Sequence, residues 1–444
     1  MTTVPAGQEL KIGKVIGGGG QGTVYEAATR TRAERAVKIF SHEFLRSDPG
    51  TPLRLRRLME IGQPSAAFAW PQEAVVHKPS RSVGYVMLLV RSARPAHRFF
   101  VPEKDGLPLT GPPLEVRAKA LFNVAAAMSA LHLSGLIHKD LSGANVRIDP
   151  NTGNVTILDC DSCEAPGGRR ILAMGTLGYQ AYECVARQQP QTTLSDLHSL
   201  AVISFHLLTG THPLLGRRRW PVRFPTPADL DRLFIHQALF MFDPHDEGNR
   251  PMSPADDPFG DCGASASLWW PTLPEYIRSL FVRAFTDALK HPSRRVPAAA
   301  WMGAAIRLGD SLAPCPKCSR SNSLDATVGA GRSCWSCGSP IMGVPHLLLG
   351  ESRFALVPGR GIFPHHVGGR SFDRSRRLVV VDTKAGSGAL GLKNSGSEPV
   401  VATAPTGETL SLQPGQAVLL TGLPHGTTLR IGRRVATVMR RLGG

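Results

Sequence analysis

Residues 138–145 read HKDLSGAN, and residues 157–161 read ILDCD. Asp140 and Asn145 stand five positions apart in a loop-like stretch, and Asp159 follows a short apolar run that reads as a strand. These residue types suit phosphoryl transfer. One carboxylate orients a hydroxyl nucleophile, while oxygen ligands hold the Mg²⁺ that neutralises the phosphates. Each acid taken alone also fits a turn or a helix cap.

The chain upstream supplies the other half of such a site. Residues 16–27 read IGGGGQGTVYEA, in which Gly17, Gly19 and Gly22 fit G-x-G-x-x-G and Val24 extends it. Glycines let backbone N–H groups approach phosphates because no Cβ intervenes. Strand formers flank them, so a strand–turn–strand hairpin is expected rather than the strand-to-helix turn of a dinucleotide site. Ile16, Gly17, Gly18, Gly19, Gly20, Gly22 and Val24 are the nucleotide-binding candidates of this hairpin. Residues 35–40 read RAVKIF and place Ala36 and Lys38 on the next strand. Lys38 offers a point charge to the α- and β-phosphates; a solvated strand lysine is the plain alternative.

Several elements must position these groups. Residues 10–40 are strand-rich, and residues 84–90 form one apolar strand. Residues 114–133 have helix-period apolar positions and stop at Ser134–Gly135. Two short strands flank the turn residues 150–153. Residues 194–209 read as an apolar helix capped by Thr193 or Ser195, and 274–289 and 297–312 read as helices. A mainly β start thus precedes a mainly α body.

The order of these motifs resembles the eukaryotic-type (Hanks-type) protein kinase family. The glycine-rich loop, AVK, HKD-x-x-x-x-N and the DCD that stands for DFG carry the likeness. GTLGYQAYE (175–183), SDLHSLAVISFHLLTG (195–210) and HPSRRV (291–296) extend it over residues 8–311. The resemblance implies an ATP-dependent serine/threonine protein kinase of two lobes, about 8–90 and about 91–311. It gives Asp140 the substrate hydroxyl, Asn145 and Asp159 the Mg²⁺, and Lys38 the triphosphate. It places Met87 behind the adenine, with 88–90, Leu89 among them, at its edge. Thr176 would tie the substrate-binding segment to Asp140, and Glu183 would pair with Arg295 or Arg294. Residues 69–76, 83–88, 159–162 and 240–252 are similar to a bacterial branch of these kinases. That branch accompanies tellurite-resistance-type genes (the TerY phosphorylation triad), and it implies a PP2C-type phosphatase and a von Willebrand A-domain protein as partners beside protein substrates.

The departures are specific. Lys139 replaces the Arg that normally meets a phosphorylated activation loop, which suggests activity without loop phosphorylation. Ser142 replaces a Lys, Cys160 and Asp161 replace the Phe and Gly of DFG, and Tyr182 replaces the Pro of A-P-E. No helical Glu for Lys38 is obvious; Glu60, at the end of a basic helix over 54–61, is nominated. Two other readings remain open: a pseudokinase scaffold that binds nucleotide without transfer, and a small-molecule phosphotransferase.

Beyond Pro314 the character changes. Cys315, Cys318, Cys334 and Cys337 form C-x₂-C-x₁₅-C-x₂-C, a zinc-ribbon pattern over 312–343 whose four filled positions argue for a structural ion. Iron fits the same ligands, and two redox C-x-x-C pairs are the alternative. Cys160, Cys163, Cys184 and Cys262 show no such spacing and are read as packing residues. Residues 344–444 carry short strands at 347–357, 377–382, 389–392, 400–402, 410–412, 417–420, 428–431 and 435–439, separated by Gly, Pro, Asn and Ser. They suggest a β-sandwich, which weakly resembles forkhead-associated domains; Arg360 and Asn394 are its candidate phosphate ligands by that likeness. The expected class is α+β: a two-lobed kinase fold, a zinc ribbon and a C-terminal all-β sandwich.

Composition bounds the rest. The 444 residues suit two or three domains. Net charge is +17, from 51 basic and 34 acidic residues, with clusters at Arg54–Arg57, Arg217–Arg219 and Arg374–Arg377. Such a balance favours polyanions or acidic proteins. An arginine-rich coding bias gives the same numbers and few aromatics interleave, so nucleic-acid binding is the lesser reading. No apolar run spans a bilayer and no secretory h-region opens the chain, which leads to the expectation of a cytoplasmic protein with reduced cysteines and no membrane contact.

Overall fold

The computed structural model describes all residues except 1, 4–8, 29–33, 92, 101–110, 167–174, 187–188, 220, 222–223, 258–261, 327–332, 342, 370–371, 373 and 441–444. Part of the expected ribbon, residues 327–332, therefore lies outside the described residues. The chain divides into two compact units. The first holds Met1–Pro112, Val116–Trp270 and Arg278–Ala305; the second holds Pro113–Glu115, Pro271–Ile277 and Ile306–Gly444.

The first unit opens on six strands: β1 Thr2–Thr3, β2 Glu9–Gly19, β3 Gly22–Ala28, β4 Glu34–Phe40, β5 Glu73–His77 and β6 Ser82–Leu88. They close into a barrel in the order β1-β2-β3-β4-β6-β5, every described pairing antiparallel. Strand alternation sorts β4 into two faces. Val37 and Ile39 join Leu10, Ala27, Val75 and Val86 in one apolar cluster. Ala36 and Phe40 join Leu55, Ala69, Tyr85, Met87 and Leu89 in another. Lys38 shares this second face.

Two helices follow β4: α1 His42–Ser47, capped by Ser41, and α2 Thr51–Ile61. α2 buries Thr51, Leu55 and Leu58, and the Trp70 indole N–H donates to the Leu58 carbonyl at 2.9 Å. After the short strand β7 Arg94–Pro95 comes α3 Leu114–Leu133, with the bounds read from sequence. Gly135, at φ 74°, lets the chain turn away after it. β8 Val146–Ile148 and β9 Val155–Ile157 form the expected hairpin, with β7 on its outer edge.

The helices α4 Tyr182–Val185, α5 Thr193–Thr209, α6 Pro227–Asp231, α7 Ala264–Trp269, α8 Glu275–Phe285 and α9 Ala298–Ser311 complete the helical part. α5 is buried along almost its whole length, as its apolar sequence demands. Its cap is Thr192, in a capping box with Ser195, rather than Thr193 or Ser195 alone. Phe205 of α5 packs edge-on against Phe281 of α8 at 5.0 Å.

In the second unit, β10 Leu312–Pro314 and β11 Ser321–Ser323 make a small antiparallel pair. Ten further strands follow: β12 His346–Leu349, β13 Ser352–Ala355, β14 Gly361–Ile362, β15 Val379–Thr383, β16 Leu390–Asn394, β17 Val400–Thr403, β18 Thr409–Leu412, β19 Ala417–Leu419, β20 Thr428–Ile431 and β21 Arg434–Met439. They build one sheet in the order β13-β12-β21-β20-β17-β18 and another in the order β14-β15-β16-β19. Leu347, Phe354, Val379, Val381, Leu392, Leu429 and Val438, drawn from both sheets, share one core. The stretch 347–357, read from sequence as one strand, is a hairpin: Gly350 at φ 62° turns β12 into β13.

Candidate functional site: a lysine, a loop aspartate and two acids on one turn

The glycine hairpin forms as expected. Gly19 pairs with Gly22 across the two-residue turn Gly20–Gln21. A Cβ at Gly22 would collide with the backbone of Ile39 and Phe40, so β3 and β4 pack only with glycine there. At Gly19 and Gly20, by contrast, an added Cβ would meet nothing within 4 Å. Protein packing does not demand those two glycines, and bare backbone faces open space there.

Lys38 lies beneath the hairpin and is only 4% exposed. Its Nζ donates to Gln21 Oε1 at 2.8 Å, to Asp161 Oδ1 and Oδ2 at 3.0 and 3.2 Å, and to Asp159 Oδ1 at 3.3 Å. Burial alone would push the ammonium down, yet the Asp161 and Asp159 carboxylates hold it above its ordinary pKa. Val24, Ala36, Met87 and Leu89 share the apolar face beside Lys38. Ile16, half-exposed at 42%, lies outside that cluster.

The loop carrying Asp140 hangs from α5. The Asp196 carboxylate accepts from the His138 amide at 2.8 Å and the Lys139 amide at 3.2 Å. Lys139 adopts φ 71°, an uncommon conformation held by these two bonds. His138 is fully buried, its Nε2 3.0 Å from the Leu158 carbonyl, a packing role. Asp140 Oδ1 accepts from the Thr176 amide at 2.8 Å and its hydroxyl at 2.9 Å. Asn145 Nδ2 donates to Asp140 Oδ2 at 3.0 Å and to its carbonyl at 2.9 Å, which leaves the amide oxygen of Asn145 turned away from Asp140. The Leu158 amide donates to the Asn145 carbonyl at 2.7 Å, binding the loop to the residue just before Asp159. Asp159 sits at φ 55° with its side chain 44% exposed. A hard carboxylate oxygen and an amide oxygen at this place fit Mg²⁺.

Glu60 is not brought to Lys38. It lies on the solvent side of α2, 65% exposed, and pairs with Arg56 at 3.3 Å. The reason is helical phase: the buried stripe of α2 is Thr51, Leu55 and Leu58, and position 60 falls off it. The buried partner of Lys38 is Asp161, in the turn Cys160–Ser162. Its side chain is 1% exposed, and Tyr85 Oη donates to its Oδ1 at 2.7 Å. Burial, then Asp161, push the Tyr85 phenol well above its ordinary pKa, so it stays a donor. Arg54 Nε donates to the Asp161 carbonyl at 2.7 Å, while its Nη2 pairs with Asp48 at 2.7 Å. Sequence reading missed Gln21, Tyr85, Arg54 and Asp161 as partners. The signal was present at Asp161, where an acid stands for the glycine of the resembled motif. Cys160 is fully buried, and burial raises its thiol well above the ordinary range, in keeping with packing.

Two further pairs frame the site. Lys139 Nζ meets Glu164 Oε1 at 2.7 Å, and Glu164 exchanges backbone hydrogen bonds with Ile137. Arg295 and Glu183 form a bidentate pair, both contacts at 2.6 Å, with both side chains buried. Gln180 and the start of α4 lie between the Thr176 and Glu183 anchors.

In the second unit the sulfurs of Cys315, Cys318, Cys334 and Cys337 all lie within 4.8 Å of one another. The amides of Lys317 and Ser336 donate to the sulfurs of Cys315 and Cys334, each at 3.4 Å, the geometry of two knuckles. Hydrogen bonds from Ser339 hold the Cys337 thiol down to about 6, which favours a thiolate ligand. Arg360 and Asn394, the candidates for a phosphate, are both spent on backbone. Arg360 Nη1 donates to the carbonyls of Asp310 and Leu312, and Asn394 Nδ2 to those of Glu398 and Leu412.

Part of the chain is similar in sequence to known proteins. Residues 110–222 match the protein kinase domain family. The chain is 30% identical over 243 residues to a probable serine/threonine-protein kinase, PknB, of Corynebacterium glutamicum, covering 51% of this chain and 36% of the relative. It is 29% identical over 220 residues to the serine/threonine-protein kinase PknA of Mycobacterium tuberculosis, covering 46% of this chain and 48% of the relative. The chain thus spans less than half the length of these relatives. A solved structure described as the ROP18 kinase domain in complex with AMP-PNP and sucrose matches 70% of this chain and 83% of its own, at 18% identity and TM-score 0.47. Residues 110–222 are therefore similar to the protein kinase domain, and about half of the chain is similar to part of bacterial serine/threonine-protein kinases.

Proposed function

We propose that the protein is an ATP-dependent protein kinase that phosphorylates serine or threonine hydroxyls of protein partners or of itself. The observation that carries this reading is the meeting of segments far apart in sequence. Lys38 contacts Asp159 at 3.3 Å, and Asp140 is bound to both Asn145 and Thr176. Asp140 receives the acceptor hydroxyl and aims its oxygen at the γ-phosphorus. A P–O bond forms to that oxygen, the bond to the bridging oxygen of ADP breaks, and the hydroxyl proton leaves through the carboxylate. Asp159 and the Asn145 oxygen would hold Mg²⁺, which supplies charge neutralisation at the phosphates. Lys38 and the open backbone of residues 17–20 and 22 hold the triphosphate, while Val24, Ala36, Met87 and Leu89 offer the base an apolar wall. Positioning and fixed charge do most of the work, since a metaphosphate-like transition state asks little covalent help.

The test is transfer of radiolabelled phosphate from MgATP by the full chain, to itself and to candidate acceptors. Lys38→Ala and Asp140→Ala are expected to lose at least about a hundredfold in rate. Wild type no better than these variants would end the enzyme reading and favour a nucleotide-binding scaffold. The buried Glu183–Arg295 pair supports protein over small-molecule acceptors, because it fixes the segment that begins at Thr176.

Within the same reading, the four cysteines hold structural zinc, and the C-terminal β domain is a docking module. Its surface cleft lined by Arg376, Ser397 and Arg433 supports an acidic or phosphorylated guest. Likeness to kinases of tellurite-resistance-type clusters supports a PP2C-type phosphatase and a von Willebrand A-domain protein as partners, in the cytoplasm. Among the described residues no helix is long and apolar enough to cross a membrane.

A further inference from the structure

We propose that Asp161 is the positioning acid for Lys38, set in place by Tyr85 and Arg54, and that α2 contributes a cation to this arrangement where an acid was expected. The proposal rests on the kinase reading for what Lys38 holds, and deepens it by assigning how Lys38 is held.

The acids near Lys38 divide by exposure. Asp159 is half-open to solvent, and only one of its oxygens is near Nζ, at 3.3 Å. It is available to a metal. Asp161 is closed off at 1% side-chain exposure, and both of its oxygens lie within 3.2 Å of Nζ. The second donor to Oδ1 is the Tyr85 hydroxyl at 2.7 Å. An acid saturated in this way has no exposed oxygen for a metal. Tyr85 is also the direct cross-strand neighbour of Lys38 between β4 and β6, so the lysine and the donor that orients its partner come from one register pair.

Among the described residues, the acids of α1, α2 and the turn between them are paired elsewhere or exposed. Asp48 takes Arg54, Glu60 takes Arg56, and Glu43 is exposed on α1. α2 meets the site through Arg54, whose Nε binds the Asp161 carbonyl while Thr51 and Asp48 brace its other end. Lys38 thus keeps a charged, buried, doubly hydrogen-bonded partner when Asp159 turns to the metal. A charge-assisted pair of this kind fixes the ammonium in one place instead of letting it sample rotamers.

The experiment uses the full chain with five variants, Asp161→Asn, Asp161→Glu, Tyr85→Phe, Arg54→Gln and Glu60→Ala, and with Lys38→Ala as the reference. KM for MgATP and kcat are measured separately, alongside equilibrium binding of a fluorescent ATP analogue and a thermal melt. Asp161→Asn is expected to raise KM and lower kcat/KM by about tenfold or more, and Asp161→Glu to restore part of it. Tyr85→Phe and Arg54→Gln should move the same parameters in the same direction by a few fold, and Glu60→Ala should leave them at wild-type values. A folded Asp161→Asn with wild-type KM and kcat overturns the proposal, as does a Glu60→Ala loss equal to that of Lys38→Ala. Should Asp161→Asn fail to fold, Tyr85→Phe decides: unchanged kinetics in that variant overturn the proposal. Wild type that transfers no phosphate would instead sink the kinase reading, and analogue affinity in the same variants would then judge the Asp161 assignment by itself.

Discussion

At Lys139 a single substitution relative to the resembled motif has a visible answer. The side chain is 2% exposed and already meets a carboxylate, Glu164, at 2.7 Å. Glu164 is itself pinned by two backbone bonds to Ile137. A fixed negative charge therefore stands beside the cation that a phosphate on the activation segment would otherwise recruit. The expected outcome is that protein treated with a broad phosphatase, then freed of it, phosphorylates acceptors at its full rate from the first time point. A lag that shortens as the protein labels itself would contradict this. Lys38, Asp140, Asn145 and Asp159 were singled out by motif spacing and Thr176 by the family resemblance, and the fold joins Lys38 to Asp159 and Asp140 to Asn145 and Thr176. Asp161, Tyr85, Gln21 and Arg54 were not legible as partners, because each acts through a contact between segments up to 123 positions apart, and no local pattern encodes such a contact.

The helices and strands show a similar division. α3 and the β8–β9 hairpin were readable because period and turn residues agree. Glu60 was misassigned because a helix was predicted without its phase. α5 carries a further consequence of burial. His198 on α5 and His212 just beyond it are both buried. His212 Nδ1 accepts from the Leu214 amide at 3.2 Å, and Nε2 faces the Gly178 carbonyl at 2.8 Å, which fixes a neutral ring. Burial lowers His212 to about 4, and burial with the nearby Arg295 lowers His198 well below its ordinary value. The unfolded chain takes up these protons near pH 6.5 and the folded one does not. Stability is therefore full above that pH and falls as pH drops towards 4. Between pH 7.5 and 5.5 the two rings together should remove about 3 kcal/mol of unfolding free energy. Urea midpoints at the two pH values check this, and equal midpoints would refute it.

At the level of the whole molecule, the chain carries a net charge of +17, and several arginines of its basic clusters meet acids among the described residues. Arg54 and Arg56 pair with Asp48 and Glu60, Arg218 lies 3.9 Å from Asp246, and Arg374 lies 3.7 Å from Asp310. The second unit makes a separate prediction. Cys315 and Cys334 belong to a small core with Ala313, Leu324, Ile341 and Ala355, and the Trp335 indole donates to Ser321 at 2.9 Å. Four sulfurs this close can all ionise only with a cation among them, because neighbouring thiolates repel. Protein purified without chelator is expected to carry one zinc per chain, and its removal should shift Trp335 emission to longer wavelength; no metal in fresh protein would refute the site. The cluster of four cysteines was readable here from their spacing, whereas the sheet orders were not, since strand pairing is a long-range property. Asp159 and Asp161 flank Cys160 on a single tight turn, so the exposed carboxylate proposed for a metal and the buried one that meets Lys38 travel as one body. Here a regulator that tilts this turn dismantles both at a stroke, and one that only displaces α2 acts through the Arg54 tether alone.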